Sequence, residues 1–189
     1  ILKLIGDTWV VVDAAARSHR PLSDVALHPS GDGWAVGWGG QALRLVDGAW
    51  VAVEQRATTE WLQAVAFTPG GGAVAVGAKG AVIAWHGGAW HPVEAAGDPV
   101  DGVLRDLAVG PDGRGWAVGS GGAILERQPS GAWSRSLSPT SANLAAVALL
   151  DGLDAWAVGA DGAIVYYRAE DVPGAIRQLH RVWLPRVTR

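Results

Sequence analysis

Few of the residue types that perform chemistry are arranged in this sequence as a reaction would need them. Carboxylates collect in three segments: Asp13 with Arg17, His19 and Arg20; Glu54 with Arg56 and Glu60; and Glu94 with Asp98 and Asp101. Two carboxylates held about 5–9 Å apart could hydrolyse a glycoside, but none of these stands beside a distinctive motif. His19, His28, His86, His91 and His180 lack the short paired spacing of a metal site. Cys is absent, which removes thiol nucleophiles, disulfides, zinc–thiolate sites and iron–sulfur clusters together. No Gly-x-Ser-x-Gly elbow supports a serine nucleophile. Gly70-Gly71-Gly72 reads as a turn between strands, because no helix follows it to cradle a phosphate. The sequence therefore leads to no catalytic residue, no cofactor and no metal.

Recognition chemistry is better represented. Arg17, Arg20 and Arg56 offer planar guanidinium groups to a carboxylate or an acidic partner, with solvated loop charges as the plain alternative. Trp38 and Trp61, with Glu60 beside the second, could stack on sugar rings or anchor a protein partner. They could equally form a local apolar cap. The tail from Val172 carries Arg177, Arg181, Arg186 and Arg189, with Trp183 and no acid. Ile176, Leu179, Val182 and Trp183 recur near a helical period, which predicts an amphipathic helix over Gly174 to Trp183 ended by Pro185. Such a helix could dock on an acidic partner or an anionic membrane surface. The alternative is a segment that packs along the preceding sheet and helps to close it.

The elements that position these residues follow from an internal repeat. Of 189 residues, 27 are Gly and 11 are Trp, with Met absent. Trp34-Ala35-Val36-Gly37 recurs as Val74-Ala75-Val76-Gly77, Trp116-Ala117-Val118-Gly119 and Trp156-Ala157-Val158-Gly159. Fifteen residues before each of those glycines stands Leu22, Leu62, Leu104 or Leu144, and three residues after it stands Gly40, Gly80, Gly122 or Gly162. Gly-Ala-Trp closes the unit at 48–50, 88–90 and 131–133. Each unit holds four apolar runs of 4–6 residues separated by Pro, Asp and Gly turn chemistry. Runs this short are antiparallel strands, and four strands in about 40 residues make one blade of a β-propeller. The expected layout is an outer half blade at 1–12, full blades at 22–53, 62–93 and 104–137, a partial blade at 144–168, and a basic tail at 169–189. That count does not close a ring, so a larger propeller, or a ring completed by the tail or by partner chains, is expected.

Seven Trp fall on repeat positions: Trp9, Trp50, Trp90 and Trp133 in fourth strands, and Trp34, Trp116 and Trp156 in second strands. They are read as inter-blade packing, each with its N–H on a backbone carbonyl. Trp85 is read as packing too. Trp38 sits in a loop between second and third strands and Trp61 just before a first strand, and both loop types emerge on one face of a propeller. Variable loops on a rigid scaffold are where binding residues collect.

A first strand ending near Pro, then Gly-x-Gly-Trp-Ala-Val-Gly, Gly-x-Ile-Leu and Gly-x-Trp, resembles the photosystem II assembly and stability factor-like propellers. These are related to the Asp-box repeats of sialidases. The resemblance spans residues 1–168 and implies an extracytoplasmic scaffold for assembling protein complexes. It also implies an Arg-rich patch for membrane-protein partners, for which no residue-by-residue match is found here. Of the sialidase box, Ser-x-Asp-x-Gly-x-Thr-Trp, only Asp7-Thr8-Trp9 and the bare Gly-Ala-Trp ends are present, so sialidase activity is not implied.

Together these features predict an all-β propeller acting as a non-catalytic scaffold for protein–protein binding, with a carbohydrate-binding module or a glycoside hydrolase as alternatives. The partners expected are proteins, including a membrane-protein complex or copies of the chain itself, or a glycan. A net charge of −3 predicts no general affinity for nucleic acid. No run reaches the ~18 apolar residues of a membrane-spanning helix, and the absence of Met and of a signal peptide predicts a processed chain or part of a longer one.

Overall fold

The computed structural model describes residues 1–11, 20–150 and 154–168, and the backbone of 179–181. It is a series of small sheets. A hairpin, β1 (Leu2–Ile5) and β2 (Thr8–Val11), comes first. Blade I holds β3 (Leu22–Leu27), β4 (Gly33–Gly37), β5 (Ala42–Val46) and β6 (Ala49–Ala52). Blade II holds β7 (Leu62–Phe67), β8 (Ala73–Gly77), β9 (Val82–His86) and β10 (Ala89–Pro92). After the short β11 (Ala95–Ala96), blade III holds β12 (Leu104–Val109), β13 (Gly115–Gly119), β14 (Ile124–Arg127) and β15 (Trp133–Arg135). Blade IV holds β16 (Leu144–Leu150), β17 (Asp154–Gly159), β18 (Ile164–Arg168) and β19 (Leu179–Arg181). Each blade is an antiparallel meander in chain order, and β11 adds to the outer edge of blade III as a parallel fifth strand.

The repeated glycines have distinct physical reasons. A Cβ at Gly37 would collide with the carbonyl oxygen of Pro21, and the same clash recurs at Gly77, Gly119 and Gly159 against the residue that precedes each first strand. The second strand must therefore end on Gly where the chain enters the blade. Gly40, Gly80 and Gly122 instead adopt φ between +64° and +72°, the left-handed region that Gly enters without a Cβ penalty.

Three apolar clusters coincide with the three blade junctions. Trp34, Val36 and Ala42 of blade I meet Leu62, Val65 and Trp90 of blade II. Val74, Val76 and Val82 of blade II meet Leu104, Leu107 and Trp133 of blade III. Trp116, Val118 and Ile124 of blade III meet Leu144, Val165 and Tyr167 of blade IV. Blade IV has no Gly-x-Trp, and Tyr167 packs at a tilt on Trp116, ring centroids 4.5 Å apart, much as Trp85 packs on Trp34 at 4.6 Å. Trp85 is thus a packing residue.

Among the described residues the blades do not close into a ring. Trp34, Trp50, Trp90, Trp116 and Trp133 are buried, but Trp156 is 41% exposed and Trp9 is 65% exposed. These two repeat positions do not pack between blades, because no described neighbour covers either one. The β1–β2 hairpin has the register of β5–β6, with Leu4 opposite Trp9 as Leu45 is opposite Trp50. It lacks the inner strand that β4 supplies to β5. The indole nitrogens of Trp90 and Trp116 also lack an acceptor among the described residues, so area and ring contact hold these two side chains, not the expected bond to a carbonyl.

The tail is expected either as a helix over Gly174 to Trp183 or as a segment that packs along the last sheet, and its described residues, Leu179–Arg181, follow the second expectation. Leu179–Arg181 is a strand paired with β18, Tyr166 facing His180 across the ladder. An unpaired β18 edge offers a row of backbone donors and acceptors, and pairing with it outweighs a short helix that is marginal alone. Arg181 therefore lies on a blade edge. Arg177, Trp183 and Arg186 fall outside the described residues.

Candidate functional site

The two loop types that carry the candidate residues do meet on one face. The main-chain N–H of Gly40, in the turn after β4, donates to the Glu60 carbonyl at 2.8 Å, and that of Trp38 donates to the Pro21 carbonyl at 2.9 Å. The Ala78 N–H donates to the Trp61 carbonyl at 2.8 Å. The first two bonds tie the β4–β5 turn of blade I to the segments that enter blades I and II, and the third ties the β8–β9 turn of blade II to its own entry segment.

Two guanidinium groups converge on that turn. Arg56 Nη1 donates to the Gly39 carbonyl at 3.4 Å. Arg20 lies over the Gly39 Cα so closely that a Cβ there would collide with its Nη1. Trp38 adjoins this point with its ring 56% exposed. Trp61, 45% exposed, donates its indole N–H to Ser23 Oγ at 2.6 Å and so crosses the I–II junction. Glu60 pairs with Lys79 at 3.0 Å, with most of the Lys79 side chain in solvent. The structure thus brings Arg20, Trp38, Arg56, Glu60 and Trp61 together on one rim, while Arg17 falls outside the described residues.

Three contributors are missing from the sequence reading. Ser23 fixes the Trp61 ring, and Lys79 holds Glu60. Gln55 pairs with the Trp90 backbone through both ends of its amide, donating at 2.9 Å and accepting at 3.0 Å. It pins the segment that carries Arg56 to the outer strand of blade II. A glutamine in a polar segment carries no spacing signal, and only the fold sets it against β10.

Below the rim a β-bulge opens each first strand, between Leu22 and Asp24 in blade I and between Leu104 and Asp106 in blade III. Asp24 accepts the N–H of Val25 at 2.8 Å with one oxygen and that of Val65, in the next blade, at 2.8 Å with the other. Asp106 does the same with Leu107 at 2.9 Å and Val147 at 2.8 Å. Burial is the main force raising the Asp106 pKa above the ordinary carboxyl value; the two N–H bonds act against it, and the charge of Asp24 adds a smaller upward push. Both oxygens of each residue are engaged by backbone donors, which makes these carboxylates junction staples. Glu94, Asp98 and Asp101 line a shallow cleft of about 430 Å³ with Lys79 at the II–III junction. Among the described residues no group of three His, Cys, Asp or Glu is placed to hold a metal ion.

No protein-family model matches the sequence, and no curated protein matches it. Solved structures do resemble it. YCF48 bound to a D1 peptide superposes with a TM-score of 0.62 at 23% identity, covering 85% of this chain and 54% of that one. YCF48 from Cyanidioschyzon merolae gives 0.62 at 21% identity, covering 80% and 52%. Sqt1 from Chaetomium thermophilum gives 0.71 at 18% identity, covering 88% and 50%. The fold is a β-propeller fold. The chain spans about half the length of the propellers it resembles. No helix among the described residues is long and apolar enough to cross a membrane.

Proposed function

We propose that this chain is a non-catalytic propeller scaffold that holds an acidic protein segment on the rim over blades I and II. The observation that carries the reading is the convergence of Arg20 and Arg56 on Gly39, between the exposed rings of Trp38 and Trp61. Planar guanidinium groups suit carboxylates, and rigid aromatic rings supply contact area at low entropic cost. One of the structures it resembles is YCF48 with a D1 peptide bound, and the likeness of fold agrees with peptide binding as a use of such blades. The resemblance of the repeats to assembly-factor propellers further suggests work outside the cytoplasm, in building a membrane-protein complex.

A displayed peptide library tests the reading. Selection on the wild-type chain is expected to enrich segments with clustered Asp, Glu or a free C-terminal carboxylate beside an apolar residue. Arg56→Glu and Trp61→Ala are expected to lose that enrichment. A selection with no acidic preference, or one that both variants preserve, contradicts it. A glycan array read in parallel addresses the sugar-stacking alternative.

A further inference from the structure

The junction between blades II and III departs from the other two at one place, and we propose that this departure makes a site for a small organic anion, its phosphate or carboxylate group held by Arg127. In the third strands Leu45, Trp85, Arg127 and Tyr167 stand opposite Gly33, Ala73, Gly115 and Ala155 of the second strands. Trp85 packs on Trp34 of the blade before it, and Tyr167 packs on Trp116 of the blade before it. At the II–III junction the same two places hold Arg127 and Val74. An aromatic pair that fills the other two junctions is thus replaced by a cation and a small side chain. A cleft of about 560 Å³ opens there.

The cleft lies on the face opposite the rim, between the β7–β8 and β9–β10 turns of blade II and the β14–β15 turn of blade III. Its volume falls in the range of small-ligand sites, roughly 300–1,000 Å³. Arg127 lines it, and among the described residues no Asp or Glu does. Arg127 Nη1 donates to the Gly113 carbonyl and, at 3.5 Å, to the Gln128 carbonyl. Neutral carbonyls do not compensate the guanidinium charge, and no carboxylate among the described residues forms an ion pair with it. Both bonds use Nη1, which leaves Nε and Nη2 to donate elsewhere. Nη2 lies beside Gly131, itself part of the lining, where an added Cβ would stand 3.4 Å from it. Burial lowers the Arg127 pKa from the ordinary guanidinium value. A cation drawn partly out of water without a counter-charge is costly, and an anion in the cleft supplies that charge.

The rest of the lining suits such a ligand. Guanidinium N–H groups pair with phosphate or carboxylate oxygens, and Thr68 and Ser130 add hydroxyl donors. His86 lies at the edge, its ring stacked on that of His91 with centroids 4.1 Å apart and 12° between the planes. Trp85 offers an aromatic surface to the apolar body of the ligand. On the rim side of the same junction the cleft carries Glu94, Asp98 and Asp101 instead, so an anion is directed to one face only.

Isothermal titration calorimetry of the purified chain with inorganic phosphate, phenyl phosphate and benzoate tests this. Phenyl phosphate or benzoate is expected to bind, and more tightly than inorganic phosphate, because Trp85 meets the ring; the tighter of the two names the head group. Arg127→Gln is expected to weaken binding at least about tenfold, the loss of one charge-assisted hydrogen bond. His86→Glu sets a carboxylate beside the cleft at an exposed position. It should weaken binding as much with an unchanged circular dichroism spectrum, so the test does not depend on Arg127→Gln folding. No binding of any of the three probes overturns the proposal. Binding that both variants leave undiminished overturns it too. So does binding that Arg56→Glu abolishes and Arg127→Gln keeps, which would assign the anion to the rim.

Discussion

At the rim over blades I and II the turn reads Trp38-Gly39-Gly40 and the strand entry Glu60-Trp61. Over blades II and III the same places hold Ala78-Lys79-Gly80 and Gly102-Val103. The backbone does not register the difference. Gly40 donates to the Glu60 carbonyl and Gly80 to the Gly102 carbonyl, both at 2.8 Å. The connecting segments are anchored by different means. Between blades I and II, Gln55 clamps the Trp90 backbone with its side chain. Between blades II and III, the main chain of Ala95 and Ala96 pairs with Trp133 and Ser134 as a fifth strand. The scaffold is therefore indifferent to the side chains it displays, and recognition at one rim can be gained or removed without altering the blades.

Substitutions sharpen that contrast in order of size. Trp90 fills the I–II junction, 1% exposed and in edge contact with Trp34 at 4.8 Å. Trp90→Ala is expected to cost about 3–5 kcal/mol in chemical denaturation. Trp9→Ala, at the same repeat position in the open hairpin, should stay within about 0.5 kcal/mol. Equal losses for the two would contradict the assignment of open and closed junctions. Asp24→Ala orphans the Val65 N–H at a junction where Ala64, one blade on, needs no acid, and an urea titration should show a loss of about 1–3 kcal/mol. Gln55→Ala removes two hydrogen bonds to β10, for roughly 0.5–1.5 kcal/mol each. It should also speed amide exchange at Trp90. At the second rim Arg135, which donates to the Pro99 carbonyl at 2.8 Å and the Asp98 carbonyl at 3.4 Å, adds a side-chain anchor to the main-chain pairing.

The blades are legible in the sequence because their determinants are local. Turn residues recur at fixed offsets, and the Gly that ends each second strand is set by the strand beside it. The loop face is legible too, because chain order alone places Trp38 and Trp61 on neighbouring blades. What escapes is set by contacts across blades. Asp24 and Asp106 look like any strand acid until the bulge turns them toward Val65 and Val147. Trp9 and Trp156 carry the repeat signature yet lie exposed, since burial depends on a neighbour that a pattern does not reveal. The tail leaves two expectations open, a helix or a segment closing the last sheet, and the edge of β18 draws Leu179–Arg181 into a strand.

A double variant at the first rim carries the most information. Trp38→Ala with Trp61→Val rewrites the first rim with the residues of the second, Ala78 and Val103. The double variant loses the Trp61–Ser23 bond across the junction, so it should lose about 0.5–1.5 kcal/mol and keep the wild-type fold. The decisive measurement is its affinity for an acidic peptide selected on the wild-type chain, followed by fluorescence anisotropy of the labelled peptide. The account predicts at least about a tenfold loss, the effect of removing interface anchors worth about 1.4 kcal/mol or more, from a protein that remains fully folded. Undiminished binding by this variant would show that the rim over blades I and II is not where the partner is held.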